Sequence, residues 1–434
     1  MTGAAIRNLP SAVCIAWLVA ACDPSATVAE KPRVPQDGPW QASITVPGGE
    51  IETAFEISHN DQGYQASLVN GQERFRIDEV RFSEGELVLR FPVYNNEIRA
   101  TLSGGELNGW LTLIKRHGET ETLPFHAKPG SEHSHDAPVG PAPPDLSGRW
   151  SVQFKNEDGT STPSVGEFAQ RGSRLFGTFV NIDGDHRYLS GHVDGSSFRL
   201  STFDGAHALL FSGTLDGDVI NNADFWSGTS LHQTWSATRD PEARLPDAYS
   251  RTHLREGYDR LTFSFPDHEG RKVSLADEKF DGKVVVITLA GTWCPNCNDE
   301  ARFLRILHER HRDEGLEIIA LMFEHFEDMD IAVAQVEKFR AKYNIDYDTL
   351  IAGISDKDYA AQQLQALDAV LAFPTTIFVD RSGRVRTIHT GFSGPGTGEY
   401  YERLKTEFTA IISEMLAAPD VEIETPATDS VVGE

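Results

Sequence analysis

The sequence predicts a multidomain chain: two β-rich repeats, each a barrel or a sandwich, followed by an α/β domain. Between Trp40 and Ala243, short alternating runs such as Glu86–Phe91 and Ser197–Ser201 are separated by Gly- and Asn/Asp-containing turns, the pattern of antiparallel strands. This stretch divides into segments 40–128 and 146–243, which resemble each other at an offset of roughly 110 residues, a domain-sized period. Gly38-Pro39-Trp40 is echoed by Gly148-Arg149-Trp150, and Leu102–Gly109 by Phe211–Gly217. From 257 to 417 strands and helices alternate instead.

At the start, Arg7 precedes the apolar run Ala12–Ala21, which is too short to span a bilayer, and Cys22 follows. This is the pattern of an export signal. Val19-Ala20-Ala21-Cys22 resembles the bacterial lipobox, and the resemblance implies a signal peptide over 1–21 and lipid attachment at Cys22. The expected location is then the periplasmic, extracytoplasmic side of a bacterial membrane. Asp23 resembles an inner-membrane retention signal of some bacteria, which leaves the choice of membrane open. Cleavage discards Cys14 and lipid occupies Cys22, so of four cysteines Cys294 and Cys297 remain as thiols. No framework disulfide is possible beyond that pair, and the fold must rest on its hydrophobic cores.

Residues 22–39 read as a tether. Residues 129–145, with His133, His135, Pro138, Pro141, Pro143 and Pro144, read as a linker. Residues 418–434 read as a disordered acidic tail. His126, His133 and His135 invite a metal assignment, but a Pro-rich linker does not preorganise ligands, and no metal is expected. The net charge of −26 argues against a nucleic-acid partner. Neither repeat carries a chemical motif. A ligand-binding barrel mouth and a spacer lifting the last domain off the membrane both remain open.

In the α/β domain, Phe263–Phe265 and Lys272–Leu275 predict a hairpin around Gly270, and Val284–Ala290 predicts a buried strand. After the turn Gly291-Thr292-Trp293, a helix is expected to open at Cys294 and run to about His311, with Pro295 at its first position, where a missing N–H costs nothing. Gly315–Phe323 predicts a parallel strand, Ile331–Tyr343 a helix, Ile377–Val379 and Val385–His389 a hairpin, and the last helix ends near Leu416. Cys294 then sits at the positive end of a helix, where unpaired N–H groups favour a thiolate, and Cys297 lies within reach of a disulfide formed there.

This stretch resembles the exported TlpA/ResA-type reductases of the thioredoxin superfamily. The likeness rests on Trp293-Cys294-Pro295-Asn296-Cys297, on Phe373-Pro374-Thr375-Thr376-Ile377-Phe378 and on Asp380-Arg381-Ser382-Gly383. It implies a thioredoxin-like domain with Cys294 and Cys297 as the catalytic pair and Pro374 as a cis-proline facing them. It also implies that Phe373 offers backbone groups to substrate, and that Trp293, Pro295, Asn296 and Thr375 tune the pair or touch substrate. Glu300 matches a glutamate of these reductases; burial there raises its pKa, and its charge resists ionisation of Cys297. Asp299 is expected to be a solvated neighbour. Proline usually stands just before the second cysteine in this family, whereas here Asn296 does, and 324–371 is longer than in a minimal thioredoxin, so the rim is expected to carry its own specificity, with Gly391–Gly396 a second rim segment.

The expected function is a membrane-anchored protein-disulfide oxidoreductase, a reductase of exported proteins. An exposed, partly thiolate Cys294 attacks the client disulfide and Cys297 resolves the adduct. A membrane thiol–disulfide donor resets the pair, and no cofactor beyond the redox disulfide is expected. Three alternatives remain. A peroxidase would have Pro and Thr where this chain has Ile287 and Gly291; a copper carrier would need wider cysteine spacing plus a histidine such as His325 or His389; a binding module would work through the β repeats.

Overall fold

In the computed structural model, residue 1 and residues 34–130, 143–156 and 158–419 are described. The signal peptide, Cys22, most of both linkers and nearly all of the acidic tail lie outside those residues.

Residues 38–129 form one nine-stranded antiparallel sheet in which chain neighbours pair, except the fourth and fifth strands, and the first strand, Gly38–Val46, also pairs with the last, Thr120–Pro129. The sheet stays open between Glu73–Arg76 and Glu79–Ser83. Alternation is the cause: Trp40, Ala42, Ile44 and Val46 point into the core while the residues between them stay partly exposed. The strands between Gly148 and Arg239 close fully into an eight-stranded barrel whose interior is aromatic, with Phe179 stacked on Phe211 at 4.5 Å and Phe211 on Phe225 at 4.4 Å. The two repeats share an alternating strand pattern but not closure.

The α/β domain has a five-stranded sheet in the order Asp348–Ile354, Leu316–Glu324, Val284–Ala290, Thr375–Val379, Val385–Thr390. The first three strands are parallel and the last two antiparallel. Val284–Ala290 is buried along its whole length because helices cover both faces. Helices α1 (Pro295–His311), α2 (Met329–Tyr343), α3 (Lys357–Gln363) and α4 (Glu399–Ala417) complete it. The strand Asp348–Ile354 and α3 account for the extra length in 324–371.

The repeats are docked on the α/β domain. Gln335 of α2 donates to the carbonyls of Pro92 and Val93 at 2.7 and 2.6 Å, and Lys342 pairs with Asp78 at 2.7 Å. Ser201 of the barrel bonds the backbone of Glu52, and Asn70 donates to the carbonyl of Phe203 at 2.8 Å. Phe203, Ala208 and Leu210 of the barrel are packed into the core of the first repeat.

Candidate active site

The strand Val284–Ala290 delivers the chain to Gly291-Thr292-Trp293, and α1 begins directly after. Cys294 is its N-cap: Sγ accepts from the Cys297 amide at 3.2 Å, and Pro295 takes the first helical position. Both cysteines are free thiols. Cys294 Sγ donates to the Phe373 carbonyl at 3.4 Å, and the Phe373–Pro374 peptide is cis, with Thr375 buried beside it and bonded to the Ala372 carbonyl at 2.8 Å. The sulfurs and the prolyl turn therefore face each other as the motif spacing implies.

Cys294 is 5% exposed and Cys297 1%, which corrects the expectation of an open attacking cysteine. The physical reason is the barrel. Its segment 181–187 lies over the start of α1. Asn296 donates to Asp185 at 2.8 Å, and the Gly394 amide donates to the same carboxylate at 2.6 Å. A Cβ on Gly391, where φ is +84°, would stand 3.0 Å from the backbone of Asp183, so the rim segment 391–396 holds barrel backbone at glycine range.

Asp299 is also corrected. It is 2% exposed and bonds both Arg302 of its own helix and Arg187 of the barrel, whose other arm bonds Glu73 of the first repeat. All three domains meet on this guanidinium. Arg187 takes φ 53°, a left-handed conformation that long side chains avoid, so the junction imposes its backbone.

Below the cysteines lies Glu300, fully buried, accepting from Thr288 at 2.5 Å and from Thr376. Burial raises its pKa to about 7, against which the two hydroxyls act. Burial, then the hydrogen bond and charge of Cys294, then the charge of Glu300, push the Cys297 thiol well above its usual range.

Sequence reasoning passed over two further residues. Glu324, buried at the end of its strand, accepts from the Thr292 amide at 3.0 Å and the Thr292 hydroxyl at 2.6 Å, so it holds the loop that ends at Cys294. Its pKa is raised by burial to about 7. Asn298 donates to the carbonyls of Thr292 and Cys294 at 2.9 and 2.7 Å. A carboxylate closing an otherwise apolar strand was the available signal for Glu324. Trp293 donates to the Phe323 carbonyl at 2.8 Å and stacks on His325 at 4.7 Å; His325 Nδ1 lies 2.8 Å from the Ser355 hydroxyl and His389 Nδ1 3.0 Å from the Gly391 carbonyl. Among the described residues no cluster of three or more metal-ligating side chains is present.

Both buried glutamates have folded-state pKa values above the unfolded value of 4.5. Their contribution to stability is therefore greatest at low pH and is lost as pH rises from about 4.5 to about 7. For Glu300 the loss is about 3 kcal/mol, since one pKa unit corresponds to about 1.4 kcal/mol. The thermal midpoint of Glu300→Gln should thus change less between pH 5 and pH 7.5 than that of the wild type; an unchanged slope refutes the assignment.

The fold and this site are those of the thioredoxin superfamily: a Cys-x-x-Cys pair heads α1 and faces a cis-proline. Residues 257–388 match the AhpC/TSA family. The thiol-disulfide oxidoreductase ResA of Bacillus anthracis is 32% identical over 132 residues, which cover 30% of this chain and 68% of that protein. For the ResA of Bacillus thuringiensis the figures are 32% identity over 131 residues, 30% and 66%, so the chain spans just under two thirds of that relative. The ResA of Geobacillus thermodenitrificans is 30% identical, with 72% of its length covered. Among solved structures, a thiol:disulfide interchange protein of Chlorobium tepidum is similar at 17% identity and TM-score 0.29, with 38% of this chain and 99% of that one covered. A DsbF homologue of Corynebacterium diphtheriae is similar at 18% identity and TM-score 0.30, covering 40% and 98%. Through its C-terminal domain the chain belongs to the ResA-type thiol–disulfide oxidoreductases. The β repeats lie outside the matched region.

Proposed function

We propose that the protein is a lipid-anchored disulfide reductase working outside the cytoplasm. The observation that carries this is the Cys294–Cys297 pair at the head of α1, opposite Phe373-Pro374 and above Glu300. In the reduced state Cys294 attacks a client disulfide, the client's leaving sulfur takes a proton, and Cys297 displaces the second sulfur. The client gains two electrons and the enzyme is left as the Cys294–Cys297 disulfide. The pair itself is the electron carrier, and no further cofactor is invoked. A membrane dithiol donor is the proposed source of the electrons that reset it, and Cys22 the proposed lipid anchor. The lipobox-like Val19–Cys22 supports that location. Among the described residues no helix is long and apolar enough to cross a membrane.

The test is the midpoint potential of the pair in the full chain, by thiol alkylation in defined dithiothreitol ratios. A value near thioredoxin's, about −270 mV, is expected; one near DsbA's, about −120 mV, would make the protein an oxidant and overturn the reductase assignment.

A further inference from the structure

The end of the closed barrel and the Cys294 end of α1 border a cavity of about 460 Å³, within the roughly 300–1,000 Å³ of small-ligand sites. Phe154, His186, Leu209 and Phe225 of the barrel form its wall, and Trp293, Cys294, Pro295 and Phe373 its floor. The His186 ring lies 5.2 Å from Phe225 and 6.3 Å from Phe154, centroid to centroid. Burial pushes its pKa down to about 3, so it presents a neutral imidazole. Asp183, Asp185 and Asp204 line the cavity against Lys357, which disfavours anionic ligands. Solvent reaches it past the exposed Asp183, Leu231 and Lys357, and Asp183 and Lys357 face each other across that opening at 3.8 Å.

Building on the thiol–disulfide chemistry above, we propose that this chamber selects peptide-sized disulfides, neutral or cationic, with an aromatic or aliphatic group beside the reacting cysteine. The barrel rim keeps a folded protein surface away from Cys294, whose exposure is 5%. A short peptide arm packs on Phe154, Phe225 and the uncharged imidazole while its sulfur meets Cys294. The sulfur–sulfur bond of the peptide breaks and a Cys294–peptide disulfide forms. One peptide leaves as a thiol with a proton from solvent. Cys297 then releases the second peptide thiol and closes the enzyme disulfide. The same chemistry is offered by a free peptide or by a loose, cysteine-bearing segment of a longer chain.

The experiment uses single turnovers of the pre-reduced full-length protein, quenched by alkylation. The probes are the disulfide of cysteinyl-phenylalaninamide, the same dipeptide unit within a long unstructured polypeptide, oxidised glutathione, and a folded disulfide protein. The dipeptide disulfide is expected to oxidise the pair about a hundredfold faster than glutathione disulfide or the folded protein, the range that apolar pocket contacts supply. Equal rates for the dipeptide and the polypeptide place the source in loose segments as well as free peptides; a slow polypeptide restricts it to free peptides. Thr162→Trp and, independently, Ser227→Trp narrow the chamber from the barrel side, and each should slow the dipeptide about tenfold or more while the thermal midpoint confirms folding. A folded protein reacting as fast as the dipeptide, with no effect of the folded chamber variant, overturns the proposal but leaves the redox assignment standing. If no probe oxidises the pair, the redox assignment falls, and the chamber's role as a substrate site falls with it.

Discussion

Cys297→Ser should abolish turnover by about a thousandfold or more while accumulating a covalent Cys294–client adduct. The resolving sulfur acts within the same helical turn, and replacing an intramolecular attack by one from solution sacrifices a large effective concentration. Cys294→Ser should lose turnover equally but form no adduct. The thiol it leaves, Cys297, is 1% exposed and held protonated by burial and by its surroundings. Non-reducing electrophoresis of the two variants after exposure to a peptide disulfide separates them. Adducts on Cys294→Ser in place of Cys297→Ser would reverse the assignment of attacking and resolving sulfurs.

Arg187→Ala is the substitution with the largest expected effect on stability. It leaves Asp299, whose side chain is 1% exposed, and Glu73, at 11%, without the guanidinium that joins them. Asp299 keeps Arg302, but Glu73 loses the partner it has in Arg187, and breaking a buried pair in this way costs about 3–5 kcal/mol. Burial already pushes the Glu73 carboxyl above the usual range, so it would take up a proton more readily in the variant. Since Arg187 ties the barrel to α1, the loss should fall on docking. Alkylation of Cys294 should speed up, and folded protein disulfides should begin to react. An unaltered thermal midpoint and unaltered alkylation would show that the junction contributes nothing.

The α/β domain was legible because its signals are local. An apolar strand, a turn and a proline at the first helical position place both cysteines from nearest-neighbour physics, while the cis-proline Pro374 was legible only through the family likeness. Glu300 was legible through the family likeness, and its burial against Thr288 and Thr376 gives that likeness a cause. The strands of both repeats were legible from alternation, but closure was not. Whether a sheet meets its own edge depends on register and twist summed over many strands. Asp299 was misread because nothing near it in the chain announces Arg187, which stands on another domain. The covered state of Cys294 was invisible for the same reason. Its roof is built by 181–187, and contacts so distant along the chain leave no periodic trace.

That division between roof and sulfurs has an evolutionary consequence. If the chamber selects substrate as proposed, the reaction is encoded in one stretch of the gene and the choice of what reacts in another, so either can drift or be exchanged while the other is retained. An excised redox domain would then be a good catalyst and a poor witness. Its substrate range would describe the sulfurs without their canopy rather than the chain that carries both.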